Sequence, residues 1–140
     1  MIVVNSQVGC FDIYCGIKSF NLDLKRLKNL KLKGRVGLTI CANLKIKRIN
    51  KKFRGKDKPT DVLSFPFSSE KIPGPFILGD IVISVEYLKR NTDNWKIFFW
   101  RALVHGLAHL EGHKHQNSKQ HTLMNKREKI LLKRLGICSI

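Results

Sequence analysis

Between positions 95 and 110 the chain reads WKIFFWRALVHGLAHL, with apolar side chains on almost every side of the helix that this spacing describes. A helix apolar all round has to be buried. The rest of the chain must therefore pack around Phe98, Phe99, Trp100, Leu103, Val104, Leu107 and Leu110. The same segment carries two imidazoles, His105 and His109, four residues apart and so on one face, about one turn from each other. Gly112 is placed to end the helix in a left-handed turn. His113 and His115 stand just beyond it, so four of the chain's five histidines fall within 105–115.

A lone histidine on an apolar helix is usually a hydrogen-bonded core residue. Two at this spacing, with a third past a glycine bend, form the pattern that holds Zn²⁺. His105, His109 and His115 are the expected ligands, with His113 the alternative to His115. Three imidazoles with one position left open describe a catalytic zinc; a structural one would be closed by a fourth protein ligand. The spacing H-x3-H-x5-H also matches the ligands of metzincin proteases. Those need a glutamate directly after the first histidine as general base, and here that residue is Gly106, which argues against peptide hydrolysis. Glycine inside a helix costs about 1 kcal/mol against alanine. Close approach of substrate or neighbouring backbone near the metal is the expected compensation. Glu111 follows His109 by two residues and should face largely away, and His121 reads as a surface residue.

A chain of 140 residues points to one domain over 1–140 with a single core. No apolar run approaches the roughly 18 residues of a membrane span. The start, MIVVNSQVGC, lacks a basic n-region and a long apolar stretch, so a cytoplasmic protein is expected. Cysteines at 10, 15, 41 and 138 are too sparse for a disulfide framework and read as reduced thiols. The charge is lopsided, with 27 Lys+Arg against 10 Asp+Glu and a formal net of +17. That excess favours a polyanion, nucleic acid before membrane, through counterion release.

Periodicity and breakers place strands at 2–4, 36–42, 61–67 and 78–84. Helices are expected at 19–33, at 43–53 with Leu44, Ile46, Ile49 and Phe53 inward, at about 84–90, at 95–110, and at 116–135 with Gly136 as its stop. Residues 68–77 read as a loop. The fold expected is α+β: a mixed sheet of about four strands packed with about five helices, with the zinc site on the buried helix and the following turn.

A second unusual stretch, NKKFRGKDKPTDVLSFPF at 50–67, gathers Arg54, Lys56, Asp57, Lys58 and Asp61 around Pro59 and runs straight into an apolar strand. Arg54 could clamp a phosphate with its guanidinium fork, and Asp61 could cap or pair. Together with LGDIVIS at 78–84 and HGLAHLEGHKH at 105–115, this stretch resembles the bacterial YbeY family of rRNA maturation factors, which are metal-dependent endoribonucleases. The resemblance runs in order from about residue 36 to the C-terminus.

The resemblance implies a single α/β domain that binds one zinc through His105, His109 and His115. It implies a role in maturing the 3′ end of small-subunit (16S) rRNA and in ribosome quality control. It places Arg54 on RNA phosphate in the basic cleft beside the metal. It also implies partners on the ribosome, among them ribosomal proteins and an assembly GTPase. The chain departs from the family pattern at His113 and Lys114, where the family has Tyr-Asp, at Ala108 for Leu, and at Phe53 for Tyr. The chemistry expected is hydrolysis of single-stranded RNA, with Lys56 and Lys114 joining Arg54 in binding the strand. The competing expectation is a non-catalytic, zinc-containing RNA-binding assembly factor.

Overall fold

The computed structural model describes residues 2–5, 24–67 and 77–137. Its elements follow in chain order. Strand β1 is Ile2–Asn5, a 3₁₀ helix is Leu24–Leu30, β2 is Arg35–Cys41 and helix α1 is Asn43–Arg54. Then come β3 at Val62–Pro66, β4 at Ile77–Ser84, α2 at Val85–Asn91, α3 at Trp95–Leu110 and α4 at Ser118–Arg134. The strands form one sheet in the order β1-β2-β4-β3. β1, β2 and β4 run parallel, and β3 joins β4 antiparallel at the edge. This is the expected α+β arrangement with a mixed sheet.

The alternation of β2 explains its place. Val36, Leu38 and Ile40 are buried on one face, against α3 and its neighbours. β4 lies between two strands, and beyond exposed Asp80 its second half is covered on both faces, where a strand loses the alternation of a half-buried one. Ile81, Val82, Ile83 and Ser84 in succession are all buried. Phe99, Leu103 and Leu107 of α3 fill the main core on one side of the sheet. On the other side Ile46 of α1 packs with Cys41, Leu63 and Val82. α3 is thus clamped between the sheet and the remaining helices, and the histidine-bearing segment is held by the centre of the molecule.

Polar bonds fix how the helices begin. Ser84 Oγ accepts from Tyr87 N–H at 3.2 Å and donates to Asn43 Oδ1 at 2.8 Å, while Asn43 N–H donates to Glu86 Oε1 at 3.0 Å. These bonds tie the start of α1 to the start of α2. Asn117 Oδ1 accepts from Gln120 N–H at 2.9 Å. An asparagine cap of this kind satisfies a first-turn donor, and it starts α4 at Ser118 and not at 116.

Several expectations change. The helix expected at 19–33 is a 3₁₀ helix over Leu24–Leu30, and 19–23 lie outside the described residues. Leu44 and Phe53, expected inward, are 61% and 62% exposed. Only Ile46 and Asn50 of α1 are buried, because this helix covers a narrow strip of sheet. Phe98 of α3 is likewise exposed, at 40%. Residues 68–76 of the expected loop lie outside the described residues, and Ile77 opens β4. Cys41 is a free thiol, and burial pushes its pKa up to about 11. A thiol held protonated in this way is a poor nucleophile. Cys10, Cys15 and Cys138 lie outside the described residues. No helix among those residues is long and apolar enough to cross a membrane.

Candidate metal centre and its cleft

α3 can come close to the sheet because residue 106 has no side chain. A Cβ there would lie 3.1 Å from Ile81 Cδ1 and 3.3 Å from its Cγ1 and Cγ2. The compensation for this helical glycine is therefore an isoleucine of β4, not substrate or backbone at the metal. It follows that a glutamate at 106 would point into the sheet and away from the histidines. One residue to either side of this buried stripe, His105 and His109 reach the rim, and both are partly exposed.

The helix ends with two crossed hydrogen bonds. Gly112 N–H donates to the His109 carbonyl and His113 N–H to the Ala108 carbonyl, each at 3.0 Å. This ending needs a left-handed residue, and Gly112 supplies it with φ +97°. The chain then doubles back and brings His115 to the other two. Ring centroids lie 4.6 Å apart for His105–His109, 5.0 Å for His109–His115 and 5.9 Å for His105–His115. One ring nitrogen from each lies within 4.8 Å of the others, so the three can hold one metal ion. The His113 ring is not part of this cluster, but its carbonyl is used.

The protonation pattern suits a cation. His105 Nδ1 donates to Glu128 Oε1 at 2.9 Å, and His109 Nδ1 donates to the His113 carbonyl at 3.0 Å. A carbonyl oxygen only accepts, as does an ionised carboxylate. In the neutral rings the proton therefore sits on Nδ1 and the lone pair on Nε2. Those two Nε2 atoms face each other at 3.1 Å. Two lone pairs so close repel unless a proton or a cation lies between them, and a third imidazole beside them favours the cation. Burial, then the neighbouring charge of His105, push the His109 pKa below its ordinary value of 6.5. Metal ligation needs that neutral form. The carbonyl end of a helix also attracts positive charge, and His105 and His109 sit on the last turns of α3.

Across from the histidines stands Arg54, the last residue of α1. Gly55, with φ +69°, ends that helix. Buried Asn50 donates from Nδ2 to the Lys58 carbonyl at 2.9 Å, which holds the turn after it. Arg54 Nη2 donates to the Ser64 carbonyl at 3.0 Å, and its guanidinium carbon lies 5.8 Å from the Phe65 ring centroid. That bond uses one of five N–H groups. A cleft of about 400 Å³ is lined by Arg54, Asp61, Ser64 and the three histidines, among others. Asp61 caps its own strand, with Oδ1 accepting from Val62 N–H at 2.8 Å.

The remaining candidates lie further out. Lys56 and Lys114 are exposed and are not among the residues lining the cleft. Glu111 faces away, as expected, and is bound in bidentate fashion by Arg127 of α4 at 2.8 and 2.7 Å. Phe53, at the family's tyrosine position, is exposed and packs edge-on to Phe65 at 5.4 Å, while Ala108 is fully buried. Glu128 is the site residue that sequence reasoning missed. It lies 23 positions from His105, and on an otherwise basic helix nothing in its neighbours marks it.

Comparison with known proteins bears on this geometry. The family model described as "Endoribonuclease YbeY" matches residues 16–136. A curated Endoribonuclease YbeY of Wolbachia sp. subsp. Drosophila simulans is 36% identical over 126 residues, covering 86% of this chain and 83% of the relative. That of Sulfurihydrogenibium sp. is 38% identical over 127 residues, covering 85% and 81%. The Bacillus velezensis protein is 38% identical over 114 residues, covering 73% of each. A solution structure from Thermotoga maritima aligns over 96% of this chain and 89% of its own, with a TM-score of 0.60 and 23% identity, a likeness of fold.

Proposed function

The chain belongs to the YbeY family of endoribonucleases, and on that premise we propose that it is a zinc-dependent endoribonuclease specific for single strands. Its task is maturation of the 16S rRNA 3′ end and ribosome quality control, in the cytoplasm, as a single domain over 1–140. The observation that carries this reading is the cleft itself. Two imidazole Nε2 atoms, 3.1 Å apart and fixed as lone-pair donors, share it with a third imidazole and with a guanidinium on the opposite wall.

His105, His109 and His115 would hold the zinc, whose chemistry there is Lewis acidity towards a phosphoryl oxygen and acidification of water. The protein's own groups do the rest. Glu128 and the His113 carbonyl keep two ligand rings in the correct tautomer and orientation. Arg54 binds the scissile phosphate and neutralises the charge that grows on it. Lys56 and Lys114, outside the cleft, hold the flanking backbone without reading sequence. Glu111 is committed to Arg127 and is not free to take a proton. Ribosomal proteins and an assembly GTPase are the partners that this role entails.

The test is cleavage of an RNA spanning the small-subunit 3′ end by wild type, Arg54→Ala and His109→Ala, with and without chelator. Cleavage by metal-loaded wild type that disappears in both variants and with chelator supports the reading. Equal cleavage by all three proteins contradicts it, because it points to another site or another nuclease. Metal-loaded wild type that binds the RNA and leaves it intact would make the protein a non-catalytic assembly factor.

A further inference from the structure

A second cavity, about 540 Å³ and larger than the cleft, opens on the other side of His105 between α3 and α4. Asp61, Val62 and His105 line both, so the two share a wall beside the histidine cluster. Its far wall is Phe98, the one large apolar residue of α3 left 40% exposed. The Arg101 guanidinium carbon lies 5.5 Å from the Phe98 ring centroid. Lys129 of α4 faces it, and Val62 and Leu132 make an apolar floor.

The charges in this groove are unequally occupied. Glu128 is bonded to His105, and Asp61 Oδ1 accepts from Val62 N–H and Thr60 Oγ1. Arg101 and Lys129 form no ion pair among the described residues. An aromatic ring, a guanidinium plane and an ammonium around an apolar floor are what an unstacked nucleotide needs: a face for the base and cations for the phosphate. Phe98 is seven residues before His105, about 10 Å along the helix axis, within reach of a nucleotide next to the scissile one.

We infer that the groove between α3 and α4 is a second RNA subsite. It takes the base of a neighbouring nucleotide against Phe98 and its phosphate on Arg101 and Lys129. The inference rests on the endoribonuclease reading for the direction in which the strand runs, but it makes its own claim about binding.

The test uses a fluorescein-labelled, single-stranded 2′-O-methyl oligonucleotide, which resists cleavage, with binding followed by anisotropy on the zinc-loaded full chain. Phe98→Ala should weaken binding about tenfold, the loss of one base stack. Arg101→Ala/Lys129→Ala should weaken it further and lower the slope of log affinity against log salt by about 1.4. Lys28→Ala/Lys33→Ala removes the same charge from residues that line neither cavity and should leave affinity near wild type. Thermal melts and zinc content of all variants are measured alongside, so that misfolding is not read as lost binding. Groove variants that bind like wild type, or lose no more than the lysine pair, overturn the subsite. Loss of binding to poly-glutamate in place of RNA would also overturn it, in favour of an acidic protein partner. Binding through the groove by a protein that cuts no ordinary RNA would sink the endoribonuclease reading and leave the subsite standing.

Discussion

The two walls of the cleft are built differently. The histidine wall is a helix pressed against the centre of the sheet, with Gly106 against fully buried Ile81 and with Glu128 and the His113 carbonyl holding the rings. The arginine wall is the exposed tip of α1, fastened by Asn50 to the Lys58 carbonyl and by Arg54 to that of Ser64. A metal demands fixed directions from several ligands at once, and a phosphate clamp needs charge and reach. Rigidity is concentrated where geometry is demanded, and the open wall leaves room for a strand to enter.

The largest effect expected is from breaking the rigid wall. His109→Ala should lower cleavage about 10³-fold or more, because a bound metal contributes several kcal/mol to the transition state. Gel assays under single-turnover conditions measure this. Arg54→Ala should cost about 10²-fold in cleavage, the scale of one lost charge-stabilising donor, with zinc content and melting temperature unchanged. Equal damage to zinc content would erase the contrast between the walls. Glu128→Ala should weaken zinc about 10–100-fold in a chelator competition, and Glu128→Gln less, since its amide oxygen still accepts.

Gly106→Val tests the packing itself. The added methyls meet Ile81, and overpacking of this kind costs about 1–3 kcal/mol in denaturant unfolding. Ile81→Ala in the same chain should return part of the loss. The smallest effect concerns pH. The folded-state pKa of His109 lies below 6.5, so between that lowered value and 6.5 the unfolded chain binds more protons. The stability of the zinc-free protein should therefore fall as pH drops through this window and be level above it. His109→Ala should flatten the dependence.

Much of the histidine wall could be read from the sequence, because local spacing fixes it. The i, i+4 pair, the glycine bend and the third histidine act within eleven residues, and the buried helix over Trp95–Leu110 follows from its apolar run. What tertiary contact decides was hidden. Glu128 meets His105 only because α4 folds back along α3. Leu44, Phe53 and Phe98 have the hydrophobicity of core residues and stand exposed, because periodicity marks an apolar position without saying whether another element covers it. The reason for Gly106 was equally invisible, since Ile81 is distant in sequence and adjacent only across the packed face.

The most direct measurement is the rate of RNA cleavage as zinc is added back to metal-free protein. A rate that climbs in proportion to zinc and levels at one equivalent per chain, and stays at background throughout in His109→Ala, is the result expected. A rate that is already full without zinc, or that climbs equally in the variant, would contradict a metal-dependent cut made between the three histidines and Arg54.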